Sequence, residues 1–142
     1  MLYRGLSLSL LAFAVLVYVA ALVQDEVFCV AGKCDDWPGY AVLLFGVLAV
    51  SDEPGNMAWV ANPLAFVAWI TILIGRRLPA LLLSAVALVT AASFMLAKTV
   101  VSNESGIANP VTGLRLGYWL WLSSLAITCL AAATATRSTS TQ

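Results

Sequence analysis

The chain contains no histidine. That removes the ordinary axial ligand of haem, every His-containing zinc site, the histidine tether of chlorophyll-type pigments and the histidine acid–base catalyst. Charge is scarce too. Seven Lys and Arg balance seven Asp and Glu, 10% of 142 residues, with a net charge of zero. No basic surface therefore offers itself to nucleic acid. There are three cysteines, and none forms the C-x-x-C of thioredoxin-like motifs. The chain also lacks a phosphate-binding loop, a G-x-S-x-G elbow and any clustered nucleophile and base.

Apolar residues make up 62% of the chain, and its mean hydropathy is +0.97. Both values lie outside the range of soluble domains and imply an integral membrane protein. Roughly 20 apolar residues cross a bilayer as a helix, so this length accommodates about four spans with short connections. The abundance of Ala, Leu and Val, and of Arg over Lys, suggests a GC-rich bacterial source.

The apolar runs predict spanning helices over residues 5–23, 58–75, 79–97 and 114–135. The first reads as an uncleaved signal-anchor helix. Pro79 suits the first turn of the third. Residues 39–50 form a shorter apolar run, about 18 Å as a helix and too short for a core of roughly 30 Å. Its bulky residues Tyr40, Leu43, Leu44, Val47 and Leu48 share one helical face, and Gly39, Gly46, Ala49 and Ser51 lie on the other. It reads as an interfacial or re-entrant helix packed against the bundle. Residues 99–113 read as a polar loop, and 136–142 as a disordered cytoplasmic tail.

Charge decides the topology. If residues 39–50 do not cross, Arg4, Arg76, Arg77 and Arg137 share one side, and all seven carboxylates lie on the other with Lys33. If they do cross, Arg76 and Arg77 join the first acidic gap. The positive-inside rule selects the first arrangement, with both termini cytoplasmic. The expected fold is an all-α transmembrane four-helix bundle with one short extra helix on the outer side. Trp37, Tyr40, Trp59, Tyr118 and Trp119 fall near the expected outer interface, the headgroup level that amphipathic rings favour. Lys98 and Arg115 lie there as well, placed to snorkel or to pair with acids.

Cys29 and Cys34 then share an outward gap, where a disulfide across the intervening Gly32 turn is stable. Cys129, within the last apolar run, reads as a small buried side chain. Asn62-Pro63 sits about one turn below the outer interface as a possible polar intramembrane site. Asn62 can serve the carbonyl that Pro63 frees, or reach another helix. Stripes of small residues mark helix-packing faces: Ser84, Ala87 and Ala91 on one helix, and Gly117, Ser124, Thr128 and Ala132 on the last, with Gly113 and Gly117 forming a G-x-x-x-G. Asp35, Asp36, Asp52 and Glu53 read as solvated surface, not a cation site, and Asn103-Glu104-Ser105 as a chance sequon.

These features favour a non-catalytic accessory or scaffold subunit of a larger assembly in a bacterial inner membrane. Its expected partners are the lipid bilayer and other membrane-protein helices, in a hetero-complex ahead of a homo-oligomer. No cofactor or metal is implied. One alternative is an oligomeric small-solute transporter or channel, with a path lined by Asn62, Ser84, Thr90, Ser93 and Ser124. Another is a membrane immunity protein that blocks a toxin through its outer loops. An enzyme is least favoured.

Overall fold

A computed structural model describes residues 2–34, 37–50, 54–101 and 106–135. Along the chain run α1 (Leu2–Leu22), β1 (Phe28–Val30), α2 (Gly39–Phe45), α3 (Pro54–Met57), α4 (Ala61–Leu73), α5 (Arg77–Ser93), β2 (Thr99–Val101), β3 (Ala108–Leu114) and α6 (Leu116–Thr134). Short 3₁₀ turns extend α2 to Ala49, join α3 to α4 and extend α5 to Leu96. Four stretches are long and apolar enough to cross a membrane: Arg4–Leu22, Gly55–Leu73, Arg77–Leu96 and Leu116–Thr134.

Small side chains build the bundle. The buried positions of α1 are Ser7, Leu11, Ala14, Tyr18 and Ala21, alternating by three and four. The same spacing gives Ala61, Ala65, Ala68 and Ile72 on α4, and Ala80, Ser84, Ala87 and Ala91 on α5. Such stripes let backbones approach closely, which drives helix association in lipid. Bulky residues point the other way. Phe13, Leu16, Ile70, Leu82, Val86 and Val89 are exposed, as suits a surface solvated by hydrocarbon. Helix α1 packs chiefly on α6, α6 on α5, and α5 on α4.

The α4–α5 turn shows how locally the chain is specified. Gly75 adopts φ +75°, a conformation that costs glycine nothing. Gly75 N–H bonds Ile72 O at 3.0 Å and Arg76 N–H bonds Thr71 O at 2.9 Å. That pair of bonds is a Schellman C-cap. It reverses the chain within a few residues, and α5 begins at Arg77, earlier than the expected residue 79. Pro79 then stands in its first turn, where no N–H is needed.

The expectation of an all-α fold needs correction. The gaps expected to be loops form a three-stranded antiparallel sheet, ordered β1-β3-β2, over one end of the bundle. Turn-forming residues obscured it: Asn109, Pro110 and Gly113 all lie within β3, the central strand. Pro110 is tolerated because its carbonyl accepts from Ala31 N–H (2.9 Å) at the turn beyond the end of β1, so the absent N–H interrupts no ladder bond. The pairing skips a residue between Cys29↔Gly113 and Val30↔Val111, leaving Thr112 as a bulge. Beneath the sheet, Val27, Phe28, Val30, Ala58, Phe94, Val100 and Tyr118 form a separate core. Tyr118 is therefore fully buried rather than part of an interfacial belt.

Gly39–Ala49 is a short apolar helix that stays at the sheet end. Gly39 N–H bonds Gln24 O (2.9 Å), and a Cβ at Gly39 would overlap the Ala21 carbonyl. Gly46 leaves room for the Trp59 ring, whose Nε1 donates to Leu43 O at 2.9 Å. Gly39 is buried and Gly46 packs on Trp59, whereas Tyr40, Leu44, Phe45, Val47 and Leu48 are exposed; Ser51 lies outside the described residues. Arg4 and the Arg76–Arg77 pair sit at the opposite end of the bundle. Arg137, the residue 136–142 tail, the acids Asp35, Asp36, Asp52 and Glu53, and the Asn103 sequon all lie outside the described residues.

Gly117 tests this packing. A Cβ there would stand 2.7 Å from the Glu26 carbonyl oxygen and 3.1 Å from Val27 Cγ2, whereas one at Gly5 would meet nothing within 4 Å. Gly117→Leu should destabilise by about 1–3 kcal/mol and Gly5→Leu by almost nothing. Thermal melting in detergent checks this, and equal melting temperatures for the two variants would contradict the packing described.

Candidate functional site

A partly open cavity of about 930 Å³ lies where the sheet, α2 and the bundle meet. Its walls come from α1, β1, α2, the second span, the end of α5, β2 and α6. Tyr18 comes from α1, Phe28 from β1, Val42 from α2, Trp59 and Asn62 from the start of the second span, and Tyr118 and Trp121 from α6. Aromatic rings shape it. Phe28 stacks on Trp37 with centroids 6.0 Å apart and tilts against Phe94 at 5.3 Å, and Phe94 tilts against Tyr118 at 5.6 Å.

Polar side chains at the wall are already hydrogen-bonded within the chain. Asn56 pairs with the β2 edge like a strand residue, donating to Val101 O (3.0 Å) and accepting from Val101 N–H (2.9 Å). Tyr118 Oη donates to Ala91 O at 3.0 Å. Asn62 makes the central node. Its Oδ1 accepts from Tyr18 Oη and from Trp121 Nε1, each at 2.8 Å, joining α1, α4 and α6. Its Nδ2 donates to Trp59 O at 3.1 Å. Trp59 lies four residues before Pro63, so its carbonyl has no i+4 donor; it stands in the 3₁₀ turn whose capping Ala61 N–H faces it. Asn62 thus adds a donor to that carbonyl and reaches two other helices. Among the described residues no buried side-chain N or O atom lacks a partner.

The small-residue stripes are filled from within the chain. Ser84, Ala87, Ala91, Ser124, Thr128 and Ala132 are buried, and Gly117 packs against Glu26 and Val27. Trp69 Nε1 donates to Thr128 Oγ1 at 2.9 Å across α4 and α6. Gly113 belongs to β3, so the supposed G-x-x-x-G is not a helix face. Of the five residues considered for a transport path, only Asn62 lines the cavity. Ser84 and Ser124 bond carbonyls of their own helices, and Ser93 is exposed.

Cys29 and Cys34 pair as a disulfide, with Cα atoms 4.0 Å apart. They are the second residue pair out from a two-residue hairpin turn, one step beyond Val30 and Lys33. Val30 and Lys33 exchange both backbone hydrogen bonds (2.8 and 2.9 Å), while Ala31 and Gly32 take φ +50° and +83°. Two consecutive positive φ values are those of a type I′ turn. The bulged Thr112 accepts from Gly32 N–H through its hydroxyl at 3.1 Å. Arg115 lies over the pair. Its Nε is 3.1 Å from Cys29 Sγ and its Nη2 3.1 Å from Cys34 Sγ, while Glu26 Oε2 stands 3.4 Å from Nε. Cys129 is free and only partly buried. Among the described residues no three His, Cys, Asp or Glu side chains are grouped to hold a metal ion.

Comparison with protein-family models, with curated proteins and with solved structures found no match for this chain.

Removing the Asn62 side chain deletes three hydrogen bonds at membrane depth. At an average near 0.6 kcal/mol each, Asn62→Ala should lower stability by roughly 2 kcal/mol. Pro63→Ala supplies an N–H for Trp59 O. It should therefore recover part of that loss in the Asn62→Ala background, as read from melting temperatures in detergent. If Pro63→Ala has the same effect in both backgrounds, Asn62 does not replace the missing helix bond.

Proposed function

We propose that this chain is an integral membrane protein that holds the hydrocarbon chain of a lipid in the cavity under its sheet. The observation that carries the reading is a cavity of about 930 Å³ walled by aromatic and aliphatic groups, with the polar side chains at its wall already bonded to backbone carbonyls or to one another. That volume lies within the range of small-molecule sites, roughly 300–1,000 Å³. Such walls give a polar ligand little to bind and give hydrocarbon continuous apolar contact. An apolar void does not hold water well, and bilayer chains are the nearest substitute. The small-residue stripes called for a covering helix, either of this chain or of a partner. They are filled internally, so they no longer support a partner.

Orientation belongs to the same proposal. With Arg4, Arg76 and Arg77 at one end, the positive-inside rule puts that end and both termini in the cytoplasm of a bacterial inner membrane. The sheet and cavity then face outward, at headgroup depth. A lipid-holding protein of this size would serve a larger inner-membrane assembly as an accessory subunit.

Two measurements test this. Native mass spectrometry after mild detergent extraction should find one lipid retained per wild-type chain. Val42→Trp or Ala49→Phe, which fill the cavity, should reduce retention several-fold without lowering the melting temperature. Equal retention in all three proteins would end the proposal. For orientation, single cysteines replacing Arg76 or Lys98 in a background without native cysteines should differ. An impermeant thiol reagent on intact cells should label the second and spare the first.

A further inference from the structure

We propose that the Cys29–Cys34 disulfide is a thiol–disulfide exchange site in which Arg115 carries the charge of the leaving thiolate. A disulfide that only staples a hairpin needs no cation over it. Here one guanidinium addresses both sulfurs, with Nε 3.1 Å from Cys29 Sγ and Nη2 3.1 Å from Cys34 Sγ.

The fold builds this placement. Cys29 pairs with Gly113 across the β1–β3 ladder, and Arg115 follows two residues later on the same strand face. Gly113 has no side chain to occupy the space above the sulfur, where even a Cβ would come within 3.7 Å of Cys29 Sγ. The Arg115 N–H donates to Val27 O (2.9 Å), and Glu26 Oε2 stands 3.4 Å from its half-exposed guanidinium. The two sulfurs differ in access. Cys29 is buried at 3% exposure, whereas Cys34 is partly exposed.

That asymmetry sets the direction of exchange. The thiolate of an incoming dithiol attacks Cys34 Sγ. A new S–S bond forms there, the Cys29–Cys34 bond breaks, and Cys29 leaves with the electron pair. A buried thiolate is costly without a partner, and Arg115 supplies one. The second thiol of the dithiol then loses its proton, attacks the mixed disulfide and releases Cys34. The two protons lost by the dithiol end on Cys29 and Cys34. The dithiol is oxidised to a disulfide, and the chain's disulfide is reduced to two thiols. The substrate class is a dithiol, on a protein or peptide, at the membrane face that carries the sheet.

The experiment uses the full chain in detergent, with Cys129→Ala so that only the pair reacts. Reduction by dithiothreitol is followed by alkylation and mass spectrometry. Arg115→Gln should slow reduction about tenfold, and Arg115→Lys should retain most of the rate. Glu26→Gln, which frees the guanidinium from its carboxylate, should raise the rate several-fold. A merely structural role for Arg115 and Glu26 moves both variants the same way, because loss of either contact loosens the hairpin and eases reduction. Faster or unchanged reduction of Arg115→Gln, or slower or unchanged reduction of Glu26→Gln, would overturn the proposal. Reacting the reduced protein with oxidised glutathione gives a second readout. The mixed disulfide should form on Cys34, and its formation on Cys29 would equally overturn the assignment.

Discussion

The helices that meet at the sheet end are tied together by the Asn62 amide. It lies inside a span, where an unsatisfied polar group is expensive, so it acts as a geometric constraint as well as a bond. Its carbonyl oxygen must be reached by Tyr18 from α1 and by Trp121 from α6 at 2.8 Å each. Its amide nitrogen at the same time donates to Trp59 O at 3.1 Å. Three helices therefore share one register. Hydrophobic stripes alone would let them slide, because lipid and leucine are nearly equivalent neighbours. A polar node with large rings attached does not slide without breaking several bonds together.

The same rings explain why the bundle opens at this end. At the arginine end Ala80, Ala131 and Ala132 close against Leu11 and Ile72, and the helices pack tightly. At the sheet end the large side chains of Tyr18, Trp59, Tyr118 and Trp121 line the cavity instead. The chain covers it with a sheet and a short helix. Gly39 and Gly46 let that helix lie against Ala21 and Trp59, and its Val42, Leu43 and Ala49 line the cavity without filling it. The cavity follows from large rings below and a thin cover above.

Much of this was legible in the sequence, and the reason is the solvent. Hydrocarbon admits few charges, so the spans and their ends stand out, and the length of residues 39–50 marks them as a separate helix. The Asn62-Pro63 pair was readable because proline removes one identifiable hydrogen bond. The sheet was not. Pro110 and Gly113 carry the usual signs of a loop, and only the tertiary pairing shows that Pro110 lies past the end of β1 and that Gly113 sits opposite Cys29. Nor could spacing reveal Leu125 and Tyr118 as core residues. Both are apolar residues in an apolar helix, and the inward face of such a helix is set by its neighbours.

The C-x4-C spacing shows where local reading stops being enough. Read alone, it is a small closed loop with a glycine. In the fold it is the length required to place one residue pair between the cysteines and a two-residue type I′ turn. The turn sets Cys29 against Cys34. The bulge at Thr112 then ties the turn down, and the strand beyond it delivers Arg115 to both sulfurs. Each step needs the previous one: without the bulge Thr112 would not meet Gly32, and without β3 in the centre of the sheet no cation would lie over the disulfide. A motif that is weak by sequence becomes a chemical constellation because β3, distant in sequence, supplies the charge.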